Sequence, residues 1–258
     1  MNDNKKFQKE CEKEILQQGK NLKLQALAKK WIIDTTKTKY SYHFEWMGRP
    51  IIQHPQDIMG MQQLLWQVKP DLVIETGIAR GGSIIFLSSI LELISQSGFN
   101  KNSMVLGIDI DIRKHNLNAI KKHPLSKRVK MIQGSSIDEK IFVKVKNFSR
   151  KFKKILVCLD SNHTENHVLR ELEMYSTLVT KNSYCVVFDT IISDLPNNKK
   201  RPWNKFNNPK TAIKKFLKKI NSKRIKASNR NIMKFEVDKK IDNQLLITCA
   251  KGGFLKRK

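Results

Sequence analysis

The chain has 258 residues, of which 40% are hydrophobic and 28% charged; that balance excludes a disordered or collagen-like chain and supplies a sizeable core. Its 50 Lys and Arg against 23 Asp and Glu give a net charge of +27, which leaves two readings open: a solvated lysine-rich surface, or an anionic partner such as nucleic acid, an anionic membrane surface or a phosphorylated molecule. The polar start MNDNKKFQKE is unlike a secretory leader, residues 83–94 are too short an apolar run to span a bilayer, and four cysteines without a CxxC pair read as buried thiols; the expectation is a cytoplasmic protein without a transmembrane segment, with room for peripheral contact at the inner membrane face.

Taken in chain order, residues 1–40 carry Ile15, Leu22, Leu24, Leu27, Ala28 and Trp31 among many charges and predict an amphipathic helical extension, a lid or a contact in a homo-oligomer. Residues 41–56, with Tyr42, Phe44, Trp46, Gly48, Pro50 and Pro55, predict an ordered loop. A helix follows over 57–68, stopped by Pro70. Apolar strands are then predicted at 71–76, 104–110, 129–133, 154–160 and 184–189, each followed by a helical segment, at 82–95, 112–122, 138–148, 165–179 and 209–220. A basic loop, 197–208, precedes the last of these helices. Two final strands are predicted near 233–237 and 245–250, joined by residues 238–243, a stretch too short for a crossover helix. Near-continuous apolar strands alternating with helices indicate an α/β fold: a mostly parallel seven-stranded sheet, helices on both faces and a C-terminal antiparallel hairpin. The extension and loop (1–56) and the sheet domain (57–258) form the expected division.

Open α/β sheets bind ligands beyond the carboxyl ends of their strands. The first strand ends in Glu75 and runs through Gly77, Ala79, Gly81, Gly82 and Ser83 into a helix start. Glycines permit a sharp turn and a close ligand approach, and the helix start offers free N–H groups. The spacing does not fit the GxGxxG dinucleotide fingerprint; it resembles the first motif of metal-dependent O-methyltransferases. The second strand ends in Asp109, whose carboxylate suits a ribose diol; Asp111 is read as the cap of the next helix. Gly134, Ser135 and Ser136 follow the third strand, a Gly-Ser turn that resembles the methyltransferase loop receiving adenine; Ser136 or Asp138 can also cap the helix beyond it.

The fourth and fifth strands end in Asp160 and Asp189. Two carboxylates at adjacent strand tips suit a hard divalent cation, with Mg²⁺ as the candidate. His163, three residues beyond Asp160, is the candidate general base on an acceptor hydroxyl. His163, Glu165 and His167 form an H-x-E-x-H string, but helical geometry turns residue 165 away from the other two, so His167 is expected to be solvated or capping.

These segments together resemble the cephalosporin hydroxylase-like family, which includes rhamnosyl O-methyltransferases. The matching pieces are WMGRP, PQD, KPD running into IETGIARGGS, then GIDID, QGSSID, LDSNHT, HVLREL and VVFDT, over roughly residues 44–195. The resemblance implies a Rossmann-like class I methyltransferase fold and S-adenosylmethionine as cofactor, lined by Glu75, Gly77, Gly81, Ser83, Asp109 and Ser135; Ala79, Gly82, Gly134, Ser136 and Asp160, on the same strand-end turns, are expected to join them. It implies Mg²⁺ at Asp160 and Asp189; Asp160 and His163 are the candidate catalytic residues on the reading of the strand tips above. The acceptor class it suggests is a hydroxyl on a glycan, glycolipid or other small molecule. Some relatives place Glu-Asp at the fifth strand tip, where this chain has Phe188 and Asp189. A nucleic-acid methyltransferase and a non-catalytic binding protein of the same fold stay open as alternatives.

Overall fold

The computed structural model describes residues 2–222 and 232–258. The N-terminal extension is two helices, α1 (Asp3–Lys20) and α2 (Leu22–Thr36). They part at Asn21, whose extended backbone ends the first while its side chain accepts a hydrogen bond from Leu24 N–H and caps the second. Helix α1 buries no residue; α2 buries Ala28 and Ile32. The expected loop at 41–56 contains a hairpin, β1 (Phe44–Trp46) and β2 (Arg49–Ile51), turned by Met47 and Gly48, both at positive φ. Helix α3 (Pro55–Val68) opens with proline in its first turn and stops at Lys69 in the left-handed region.

The alternating units follow: β3 (Leu72–Thr76), α4 (Gly82–Gln96), β4 (Met104–Asp109), α5 (Lys114–Lys122), β5 (Val129–Gln133), α6 (Glu139–Ser149), β6 (Ile155–Leu159), α7 (Glu165–Tyr175), β7 (Tyr184–Val187) and α8 (Pro209–Ser222). The chain closes with β8 (Phe235–Val237), α9 (Lys239–Leu245) and β9 (Phe254–Arg257). The seven-stranded sheet has the order β5-β4-β3-β6-β7-β9-β8, parallel except at β9.

Strand alternation explains the two cores. Val73, Val105, Leu156, Cys158, Tyr184 and Val186 point to the face covered by α3 and α4. Leu72, Ile74, Leu106, Ile108, Val157, Leu159, Cys185 and Val187 point to the face covered by α6, α7 and α8. The antiparallel pair β8–β9 is present as expected, but its second strand lies at 254–257 instead of 245–250, and a helix fills the connection. The apolar run at 245–250 is fully buried only at 248–250, and for another reason. Leu245 packs on Gly60 of α3, and the N–H of Cys249 and the hydroxyl of Thr248 both bond to the fully buried Asp57.

Candidate functional site

The strand order reverses at β3, which has β4 on one side and β6 on the other. The carboxyl ends there open a crevice. In-register pairing brings the tips level: Asp160 N–H donates to Thr76 O at 2.9 Å, and Phe188 N–H donates to Leu159 O at 3.0 Å. Gly77, Asp160 and Asp189 therefore line one cavity of about 690 Å³, together with Ile78, Ala79, Gly82, Ser83 and His163. Helix α2 and the hairpin side add Ile33, Thr36 and Gln53.

The glycine turn is dictated by backbone proximity as much as by any ligand. Gly77 sits at φ +91, and a Cβ there would lie 2.0 Å from Asp160 O. A Cβ on Gly82 would meet Pro50 O at 2.3 Å.

Glu75 does not face the cavity. It is 2% exposed, accepts a hydrogen bond from Ser83 Oγ at 2.9 Å, and borders a small void beneath the turn with Gln53, Asp57 and Cys158. Burial pushes its carboxyl up to about 8. Gly81 likewise packs on Ile120 instead of lining the cavity.

Asp109 also stands outside the cavity lining, where it braces the turn. Its Oδ2 accepts from Ile78 N–H (2.7 Å) and Ala79 N–H (3.1 Å), and its Oδ1 from Asp111 N–H (3.0 Å). Three of its four lone-pair positions are thus in use. Asp111 does not cap α5, whose N-cap is Arg113; it is an exposed residue 3.6 Å from that guanidinium.

Gly134, Ser135 and Ser136 lie outside this cavity as well. Asp138 caps α6 through Lys140 and Ile141 N–H, while Ser136 Oγ bonds to His167 Nε2 at 3.0 Å. Ser161 Oγ meets the same nitrogen at 3.2 Å and donates to the fully buried Glu171 at 2.7 Å. His167 is therefore neither solvated nor a cap. It ties the loop after β5 to the loop after β6, a role hidden from sequence because Ser136 lies 31 residues from it along the chain.

The acidic end of the cavity holds Asp160, His163 and Asp189, which each offer one ligand atom, all within 4.8 Å of one another. His163 Nε2 lies 3.1 Å from Asp189 Oδ2. Phe188 is buried in the core, so no second acid stands beside Asp189 on β7, and the third polar group at the two aspartates is His163. Burial raises the Asp160 carboxyl well above its usual range, and Asp189, Glu75, Glu171 and Asp57 add to this. Gln53 Nε2 donates to Asp160 Oδ2 at 3.2 Å. A carboxylate pair plus an imidazole, short of positive charge, has the donor chemistry of a divalent cation site.

Two neighbouring features were not foreseen from sequence. His54, Asp57 and Cys249 form a second buried group of donor atoms within 4.8 Å of one another behind Gln53. The loop 197–208, whose Lys199, Lys200, Arg201 and Lys205 read from sequence as either solvated or facing a lipid-linked or phosphorylated acceptor, folds over the site: Trp203 packs edge-on against His163 with centroids 4.7 Å apart, and Arg201 lies over Trp203. Asn207 fixes that loop by accepting from Glu165 N–H at the start of α7.

Comparison with known proteins agrees with this architecture. A family model described as Rhamnosyl O-methyltransferase/CmcI matches residues 38–258. A rhamnosyl O-methyltransferase of Mycobacterium tuberculosis is 30% identical over 162 residues, 62% of this chain and 60% of that protein. One from Mycobacterium leprae is 28% identical over 152 residues, 58% of this chain and 62% of that protein. The chain thus matches about three fifths of the length of these curated relatives. A solved structure of CmcI with Mg and SAM is 16% identical, covers 84% of this chain and 77% of that one, and has a TM-score of 0.54, a likeness of fold.

Proposed function

This chain belongs to the rhamnosyl O-methyltransferase/CmcI family, and on that footing we propose that it transfers a methyl group from S-adenosylmethionine to a sugar hydroxyl on a glycan or glycolipid. The observation that carries the reading is the convergence of Asp160, His163 and Asp189 with the glycine turn in one cavity. Its relatives are named for rhamnosyl acceptors, and a deoxysugar hydroxyl suits a cavity of this size.

In this reading the turn residues Gly77, Ile78, Ala79 and Gly82 cradle the cofactor at the N-terminus of α4. Glu75 and Gly81 support the turn from below, and Asp109 holds it from the side while keeping one lone-pair position for a ribose hydroxyl. Gly134, Ser135 and Ser136 extend the cofactor site toward adenine. The cofactor supplies an electrophilic methyl group and needs no covalent enzyme intermediate.

Asp160 and Asp189, with His163 beside them, would hold Mg²⁺; a bound cation polarises and orients an acceptor hydroxyl. His163 takes the hydroxyl proton, and the carboxylate of Asp189 at 3.1 Å stabilises the imidazolium that forms. Trp203 and Gln53 keep His163 and Asp160 in place and exclude water from one side. We also propose that residues 1–56 act as an extension that walls the cavity of a methyltransferase domain at 57–258. Among the described residues no helix is long and apolar enough to cross a membrane.

Calorimetry with S-adenosylmethionine, with and without Mg²⁺, tests the reading. Saturable binding is expected, and no binding at millimolar cofactor would sink it. An Asp160→Ala variant that keeps full methyl transfer would remove the metal from the proposal and leave the rest.

A further inference from the structure

The cavity is divided in character. Its floor carries Asp160 and Asp189, whereas the side chains of the wall at 197–204 present almost only hydrogen-bond donors. Asn197, Asn198 and Asn204 all line the cavity. Each has its carboxamide oxygen tied to the loop's own backbone, accepting from Lys205, Lys200 and Phe206 N–H respectively at 3.3, 3.0 and 2.8 Å. Their Nδ2 groups have no partner among the described residues and remain as donors. Arg80, Lys199 and Arg201 line the same cavity, and among the described residues none has a carboxylate within ion-pair distance. The acid nearest along the chain, Asp194, is taken by Lys29 and Lys210.

A neutral sugar offers hydroxyls that donate as well as accept, and a site for it mixes both partners. A side-chain wall of donors with spare positive charge fits a group that only accepts. Two cations and three amides on one loop make a donor-rich, positively charged wall that suits a phosphate, with its three strong acceptor oxygens. Arg201 stands on Trp203, which packs against His163, so the cation is one indole ring away from the group that takes the proton.

We infer that the acceptor is a phosphorylated sugar, its phosphate bound along the 197–204 loop by donors among Lys199, Arg201 and the three asparagine amides while its hydroxyl meets His163. The inference rests on the methyltransferase reading of the same cleft. Phosphate of this kind occurs in a free sugar phosphate, a nucleoside diphosphate sugar or a polyprenyl diphosphate sugar, and the site chemistry is common to all three.

The test uses the full chain saturated with Mg²⁺ and S-adenosylhomocysteine, so that no turnover occurs. Rhamnose and rhamnose 1-phosphate are titrated by calorimetry. The phosphate is expected to tighten binding by about tenfold or more, and a Lys199→Ala/Arg201→Gln variant to lose that gain while binding S-adenosylhomocysteine as before. Nucleoside diphosphate rhamnose and polyprenyl diphosphate rhamnose in micelles form two further arms, and tighter binding of either supports the inference and identifies the source. Equal affinity for rhamnose and all three phosphorylated forms, with S-adenosylhomocysteine bound, overturns the inference and leaves the methyltransferase reading standing. Failure to bind S-adenosylhomocysteine overturns both. An RNA oligonucleotide that binds through Lys199 and Arg201 while rhamnose 1-phosphate does not would overturn it in favour of a nucleic-acid acceptor.

Discussion

Replacing Glu75 by Gln tests whether the first strand ends in a neutral carboxylic acid. Glu75 is 2% exposed, and its carboxyl is raised from 4.5 to about 8 by burial, against which the Ser83 hydrogen bond works only in part. In the unfolded chain the group ionises near its ordinary value. Between those two pH values the folded state holds one proton more than the unfolded state, so stability falls as pH rises. One proton changes stability by roughly 1.4 kcal/mol per pH unit, so this residue alone removes about 3 kcal/mol between pH 5 and pH 7. The amide of Glu75→Gln cannot ionise and still offers an oxygen to Ser83. Urea unfolding of the two proteins without cofactor, at pH 5, 6, 7 and 8, gives the difference in stability with other titrating groups cancelled. That difference is expected to move in favour of the variant by about 3 kcal/mol from pH 5 to pH 7, then level off above pH 8. Parallel pH curves would refute the claim that Glu75 stays protonated under the turn.

Gly77→Ala places a Cβ against Asp160 O at a backbone angle of +91°; a loss of roughly 3 kcal/mol is expected, read as a lowered thermal midpoint, and an unchanged midpoint would show that the turn can relax. Asp57→Ala strands the buried Thr248 hydroxyl and Cys249 N–H; it should cost about 2–4 kcal/mol by denaturant titration. His163→Gln is expected to lower kcat by about 10²–10⁴-fold while the affinity for S-adenosylmethionine stays within about twofold. A parallel loss of cofactor affinity would mean that His163 holds the site together instead of moving a proton.

The parallel sheet was legible because its strands are buried on both sides. LVIET, MVLGID, ILVCL and YCVV are runs that only a doubly covered strand makes efficient use of. The tip residues Asp160 and Asp189 were legible for the complementary reason: a carboxylate ending such a run has to meet solvent, a cation or a donor. The residues at 245–250 misled because burial alone does not distinguish a strand from a segment pinned to a neighbour. Leu245 is only partly buried where it packs on Gly60, and the backbone beyond it bonds to Asp57 instead of a strand. Asp109 reads from sequence as a ribose ligand, and only the structure reveals that the same carboxylate also braces the turn through Ile78 and Ala79 N–H. His167 was misjudged because no local pattern records that Ser136 and Ser161 converge on it. Phe188 stands where some relatives carry a second acid, and only the three-dimensional course after β6 brings His163 Nε2 to 3.1 Å from Asp189 Oδ2.

The clamp between Asp57 and residues 248–249 has a kinetic side. It joins positions 191 and 192 residues apart, and Lys251 reaches Gln25 across 226. Contacts of such separation are the slowest to close, since a long loop must be ordered before any of them forms. During synthesis the β3–β6 unit can pair while the segment that braces α2, α3 and Gln53 has yet to emerge from the ribosome. The acidic tips at Asp160 and Asp189 are thus exposed early in the life of the molecule and enclosed last.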